Sequence, residues 1–188
     1  MSARLLLSGV GMLVLSGCAT TDIAASPSDR FFERLSTLCG DSFAGGLVSS
    51  DAVDADFRGA DMEMHVAECS DDEIRIPFRV GEDSSRTWVV TRTEAGLRLK
   101  HQHLHDDGTP DAVSWYGGTA TSPGSARRQE FPVDAESIAL FRREGLEASV
   151  VNVWALEVGD ETFAYELRRP TGRFFRVEFD LTAPLSRD

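Results

Sequence analysis

Basic residues, cysteine and long apolar runs are all scarce in this chain, and each shortage excludes something. Of 188 residues only 19 are Lys or Arg, against 31 Asp or Glu, for a formal net charge of −12. Such a surface repels phosphate backbones, which makes nucleic acid a poor partner. An anionic membrane surface is repelled in the same way. Three Cys occur, at positions 18, 39 and 69, with no Cys-x-x-Cys spacing among them. That speaks against a metal-binding or reactive thiol pair. The N-terminal apolar stretch, Leu5 to Leu15, covers eleven positions and includes Ser8, Gly9 and Gly11. A spanning helix needs about 20 apolar residues, so this stretch is not one. No Gly-x-Ser-x-Gly elbow offers a nucleophilic serine, and the glycines form no phosphate loop.

What is present at the N-terminus is ordered. Arg4 precedes the apolar stretch, and Leu15-Ser16-Gly17-Cys18 closes it. A charged flank, an apolar core and small residues are the parts of a secretory signal. Together with the Cys they resemble a bacterial lipobox. The resemblance implies that residues 1–17 are removed and that Cys18 carries a diacylglycerol as the mature N-terminus. Each buried CH₂ adds about 0.8 kcal/mol of membrane affinity, so several chains on one Cys anchor firmly. Ala19 follows the Cys. That is similar to Gram-negative lipoproteins sent on to the outer membrane, so the expected location is the periplasmic face of that membrane.

Residues 18–28, small and polar with Pro27, are expected to tether the anchor to a single domain at 29–188. Removing residues 1–17 leaves 171 residues with a net charge of −13, enough chain to bury a core. Cys39 and Cys69 then remain, and outside the cytoplasm two such residues are expected to form one disulfide. It would close a 31-residue loop, worth about 3.5–4 kcal/mol of chain entropy.

The spacing predicts a helix over 29–39, with Asp29 as N-cap, Phe31, Leu35 and Leu38 on one stripe, and Gly40 as the stop. A second helix is expected over 134–144, from Asp134 to the Gly145 stop. Most of the remainder alternates as strands do. Ile74, Ile76, Phe78 and Val80 share a face, and Pro77 opposite them suggests an edge or a bulge. Further strands are expected over 86–93, 97–105, 112–116, 149–158, 162–168 and 174–181, several joined by hairpin turns. About nine or ten short strands with two short helices imply a mainly β fold. Consecutive hairpins favour a single antiparallel up-and-down β-barrel, closed so that no edge is left exposed. A short helix running into Gly40-x-x-Phe43-x-Gly45 resembles the opening of lipocalin-like barrels.

Three of the four histidines fall within five positions: His101, His103 and His105. On a strand they share one face, together with Leu97 and Leu99. They are therefore expected to point into the barrel or its mouth, as candidates for binding a small ligand or moving a proton. Adjacent pairs stand ~6.5–7 Å apart along a strand, close enough for one ion, whereas residues four apart are ~13 Å distant. A zinc or copper site would therefore take one adjacent pair, such as His101 and His103, with a further donor from among Asp107, Asp106, Asp111 and His65. A satisfied structural role, as expected for His65, is the rival reading. Trp88, Trp115 and Trp154 are expected in the core.

Four runs carry a wider likeness: Ile74 to Gly81, Leu97 to Gly108, Arg128 to Asp134 and Phe174 to Leu181. They resemble secreted proteins and lipoproteins of Gram-negative bacteria over 108 of the 171 residues. That likeness brings no activity and no catalytic residues. The sequence therefore points to a lipid-anchored barrel that binds a small ligand or metal behind the histidines. Two alternatives stand beside it: a barrel enzyme using His101 and His103 as acid–base groups or metal ligands, and a structural envelope lipoprotein.

Overall fold

The computed structural model describes residues 25–186, so Cys18, the lipobox and most of the expected tether lie outside the described residues. The first helix, α1 (Pro27–Ser36), starts two residues earlier than the spacing suggests. Ser26 is the cap: its hydroxyl accepts from the Asp29 N–H at 3.1 Å, and the Asp29 carboxylate answers back to the Ser26 N–H. Asp29 is thus the third residue of a capping box rather than the cap itself. The helix buries Phe31, Phe32 and Leu35.

Eleven strands follow: β1 (Ser42–Leu47), β2 (Met62–His65), β3 (Glu68–Cys69), β4 (Glu73–Val80), β5 (Asp83–Thr93), β6 (Gly96–His103), β7 (Tyr116–Thr119), β8 (Arg128–Pro132), β9 (Val153–Val158), β10 (Thr162–Arg168) and β11 (Phe174–Pro184). The second helix, α2 (Ala135–Arg143), lies between β8 and β9, and Asp134 caps it through the Ser137 N–H. Ten strands run in the order β7-β6-β5-β4-β2-β1-β11-β10-β9-β8, all pairs antiparallel, with β3 beside β4. The first strand pairs with the last, and a single bridge from Gly118 in β7 to Val133, the residue after β8, brings the two ends of the sheet together into a nearly closed barrel. This is an up-and-down, lipocalin-like barrel, as the strand spacing predicts.

Glycine makes the closure possible. A Cβ on Gly117 would stand 1.9 Å from the Leu99 carbonyl oxygen, and one on Gly118 would stand 1.8 Å from that of Pro132. These two residues lie inside β7, so the chain does not leave the sheet at 116, where the strand expected from the sequence stops. The expected strand over 112–116 is instead a loop that joins β7 at Tyr116. Gly45 has the same role on the far side, where a Cβ would meet the Glu178 carbonyl at 2.3 Å, next to a register shift between β1 and β11. Pro77 lies opposite the break between β2 and β3, bracketed by the Met64–Phe78 and Glu68–Arg75 pairs. No ladder partner there requires the N–H that proline lacks. The bulge falls next to it, between Phe78 and Val80.

The two ends of the barrel differ. At one end α1 is held by Arg34, which donates to the carbonyls of Val158 and Gly159 at 2.8 and 3.0 Å, and by Arg92, whose guanidinium pairs with Asp29 and lies 4.2 Å from the centre of the Phe32 ring. The Cys39–Cys69 disulfide ties the chain after α1 to β3. The interior behind this plug is filled by Phe31, Phe43, Met64, Phe131, Phe163 and Phe179. The other end carries the β4–β5 and β10–β11 turns, the long β1–β2 and β6–β7 connections and α2. Lys100, the chain's one lysine, faces outward there yet is only 2% exposed, because α2 lays Asp134 and Glu136 against its ammonium, each at 2.9 Å.

Candidate functional site

Strand parity delivers two of the three histidines to the interior. His101 is buried and His103 half-buried, in line with Leu97 and Leu99. The third expectation fails. Strand β6 ends at His103, and the chain turns back through the Leu104–Pro110 bridge, which leaves His105 exposed beyond the sheet.

His101 is fully committed. Its Nδ1–H donates to the Tyr116 carbonyl at 3.1 Å, and its Nε2 lies 2.8 Å from the Tyr165 hydroxyl. A carbonyl can only accept, so the proton sits on Nδ1 and the phenol donates to Nε2. Burial pushes the imidazole pKa down to about 3, against a smaller upward pull from the Tyr116 carbonyl. The ring is therefore neutral at physiological pH, and it stacks on Tyr116 at 4.8 Å between centroids. His103 pairs through Nε2 with the Tyr116 hydroxyl at 3.1 Å. Its pKa is lowered, first by burial and then by the nearby Arg86 cation, while Asp111 and Asp83 pull the other way. Burial likewise raises Tyr116 to about 12 and Tyr165 well above the usual phenol value. The chain has two tyrosines, and both are spent on these two histidines.

The metal set of His101, His103 and Asp107 is not assembled. Asp107 sits in the exposed turn, where its carboxylate accepts from the Thr109 N–H and hydroxyl at 2.9 and 2.6 Å. Both His101 nitrogens are already occupied. Among the described residues no group of three His, Cys, Asp or Glu side chains is placed to hold an ion. His65, as expected for a structural residue, bonds through Nδ1 to the Asp41 carbonyl at 3.0 Å.

What the fold builds around the histidines is a pocket at the end opposite α1. Its volume is about 160 Å³. Trp88, Phe78, Phe175 and Leu167 form its apolar floor and walls together with Tyr116 and Tyr165. Trp88 stacks on Tyr165 at 4.5 Å and on Phe78 at 4.6 Å. A 3-10 turn at Ala52–Phe57, in the β1–β2 connection, brings Asp54 and Phe57 to the mouth. Asp54 is buried and forms a two-pronged pair with Arg173, which also holds Asp51 at 2.9 Å. Phe57 packs edge-on against Phe175 at 5.1 Å.

Residue spacing alone did not single out Arg86, Trp88, Phe57 or Arg173 as site residues. A parity signal existed for two of them: Arg86 and Trp88 share a face of β5, and the register sets Arg86 opposite His103 and Trp88 opposite His101. Trp115, expected in the core, is instead at the surface with a positive φ of 60° just before β7.

The fold and the site together define a class: an antiparallel up-and-down barrel plugged at one end, with a small aromatic pocket at the other. Compared with protein-family models, curated proteins and solved structures, the chain matches none of them.

Proposed function

We propose that this protein is a lipid-anchored barrel of the Gram-negative cell envelope that binds a small molecule in the pocket beside His101 and His103. The observation that carries the binding reading is a space of about 160 Å³ at the mouth beside His101 and His103, walled by aromatic rings. Apolar walls with a few convergent polar groups are the usual form of a small-molecule site. A purely structural barrel has no need of such a space. Proton transfer is favoured less than binding, because His101 has both nitrogens committed and its pKa of about 3 lies far from neutrality. The anchor rests on Leu15-Ser16-Gly17-Cys18, and the disulfide at Cys39–Cys69 fits the oxidising compartment that an anchor implies.

Native mass spectrometry of the purified protein tests the pocket. The wild type is expected to carry a small-molecule adduct that the pocket-filling variant Leu167→Phe lacks. A bare mass for the wild type, with no thermal stabilisation by small apolar or aromatic compounds, would refute the binding reading. Palmitate labelling tests the anchor: label is expected in the wild type and absent from Cys18→Ala, and equal labelling of the two would rule the anchor out.

A further inference from the structure

The pocket's polar groups are unevenly satisfied, and the imbalance has a sign. Of the charged residues that line it, Arg173 is taken up by two carboxylates: it donates to Asp51 and to both oxygens of Asp54, and also to the Phe174 carbonyl. Arg86 is not. Its Nη1 donates to Asp83 at 2.5 Å, while Nε and Nη2 make no hydrogen bond among the described residues. Arg86 shares the inward face of β5 with Trp88 and pairs in register with His103. Its guanidinium carbon lies 5.9 Å from the centre of the Phe57 ring, over the mouth. A cation that faces inward is unusual in a chain with a net charge of −12, and its field reaches His103, Tyr116 and Tyr165.

We infer that the pocket takes a compact apolar monocarboxylate of about the size of benzoate, with its carboxylate on Arg86 and its apolar body among Trp88, Phe78, Phe57 and Phe175. This rests on the pocket being a binding site, and it names the ligand class. Three observations converge on it. The open donors of Arg86 match a carboxylate, which guanidinium groups bind in a planar, charge-assisted pair. The His103–Tyr116 pair next to Arg86 offers a further polar contact beside the same mouth. The volume sets the size: an apolar cavity of about 150 Å³ holds benzene, and this one is about 160 Å³. A long acyl chain does not fit, because the interior beyond Trp88 is filled by Phe163 and Phe179.

Isothermal calorimetry on the purified full-length protein tests the inference with benzoate, its neutral isostere benzamide, hexanoate and dodecanoate. Benzoate is expected to bind at least tenfold tighter than benzamide. Hexanoate separates the two sources of such a carboxylate: parity with benzoate assigns a short acyl chain, and weaker binding assigns a ring. Arg86→Met keeps the alkyl stem and removes the charge. It is expected to bring benzoate down to the benzamide level. Equal binding of benzoate and benzamide by the wild type would overturn the carboxylate class and leave the pocket reading intact. A preference that persists in Arg86→Met would overturn the assignment to Arg86. Tighter binding of dodecanoate than of hexanoate would overturn the size limit. Failure of every probe, benzamide included, would overturn this inference, and together with a bare native mass it would remove the binding site as well.

Discussion

Replacing His101 by Asn should remove a specific part of the protein's sensitivity to acid. The folded ring is neutral, with a pKa near 3, while the unfolded chain titrates near 6.5. Above pH 6.5 both states are neutral and the group has no effect on stability. Below it, the unfolded chain takes up a proton that the buried ring refuses, so stability falls as pH drops. The loss grows by about 1.4 kcal/mol per pH unit and levels off near pH 3, where the folded ring protonates too. Between pH 7.5 and pH 5.0 it amounts to about 2 kcal/mol. His101→Asn also weakens the protein at every pH, because the Tyr165 hydroxyl loses its acceptor, at a cost of about 1–3 kcal/mol. That cost cancels in the comparison of slopes. So do the contributions of His103, Asp134 and Glu166, whose pKa values are lowered in the fold and which also lose stability in acid. Urea unfolding of both proteins at the two pH values gives the double difference. A wild type no more acid-sensitive than the variant would mean that the ring is solvated or charged, and the site as described here would be wrong.

Three further outcomes follow from the fold. Reduction of Cys39–Cys69, or Cys69→Ser, should cost about 3–4 kcal/mol and lower Tm by about 10 °C; an unchanged melt in reductant that frees both thiols would contradict this. Gly118→Ala drives a Cβ into the Pro132 backbone at the barrel seam and should cost about 3 kcal/mol in urea unfolding, whereas Gly46→Ala, with open space around it, should be close to neutral. Lys100 should resist amine-acylating reagents in the native state, reacting about a thousandfold more slowly than in urea, since it reacts only when it opens to solvent. Labelling of Lys100 at equal rates in both states would show that α2 does not cover it.

The barrel was legible because its strands alternate cleanly. Phe163, Tyr165 and Leu167 on β10 and Phe175, Val177 and Phe179 on β11 give period two with little ambiguity, and the turns between them carry Gly or Pro. Asp134 and Gly145 marked α2 for the same local reason. What stayed hidden depends on distant pairing. Gly117 and Gly118 look like a turn, and only the approach of Leu99 and Pro132 makes them strand residues at a seam. His105 has the parity of His101 and His103, but parity does not say where a strand stops. The bridge from Leu104 to Pro110 decides that, and it is a contact of the loop with itself. Arg86 was hidden by a different rule: an arginine near acidic residues is usually solvated, and its inward placement shows only when β5 is set against β6.

The position of the pocket follows from how a ten-stranded barrel must be filled. Eight strands enclose roughly what side chains can fill, and ten enclose more. This chain meets the excess with large rings: Trp88, Trp154, Phe131, Phe163 and Phe179 are all buried, and α1 adds Phe31 and Phe32 from below. Filling proceeds along each inward stripe until the stripe turns polar. On β6 the change comes from Leu99 to His101, on β5 from Trp88 to Arg86, and on β10 the Tyr165 hydroxyl turns to meet His101. These changes fall at adjacent levels of the barrel, on strands that pair or face one another. Polar tips need partners and cannot interdigitate as phenyl rings do, so they hold one another through Tyr116 and Tyr165 and leave space above Trp88. Restoring the apolar stripe with Arg86→Leu and His103→Leu together should therefore close the pocket and stabilise the barrel, the trade that the proposed binding role implies. Urea unfolding of the double variant tests this: a protein less stable than the wild type would mean that Arg86 and His103 support the fold rather than hold the pocket open.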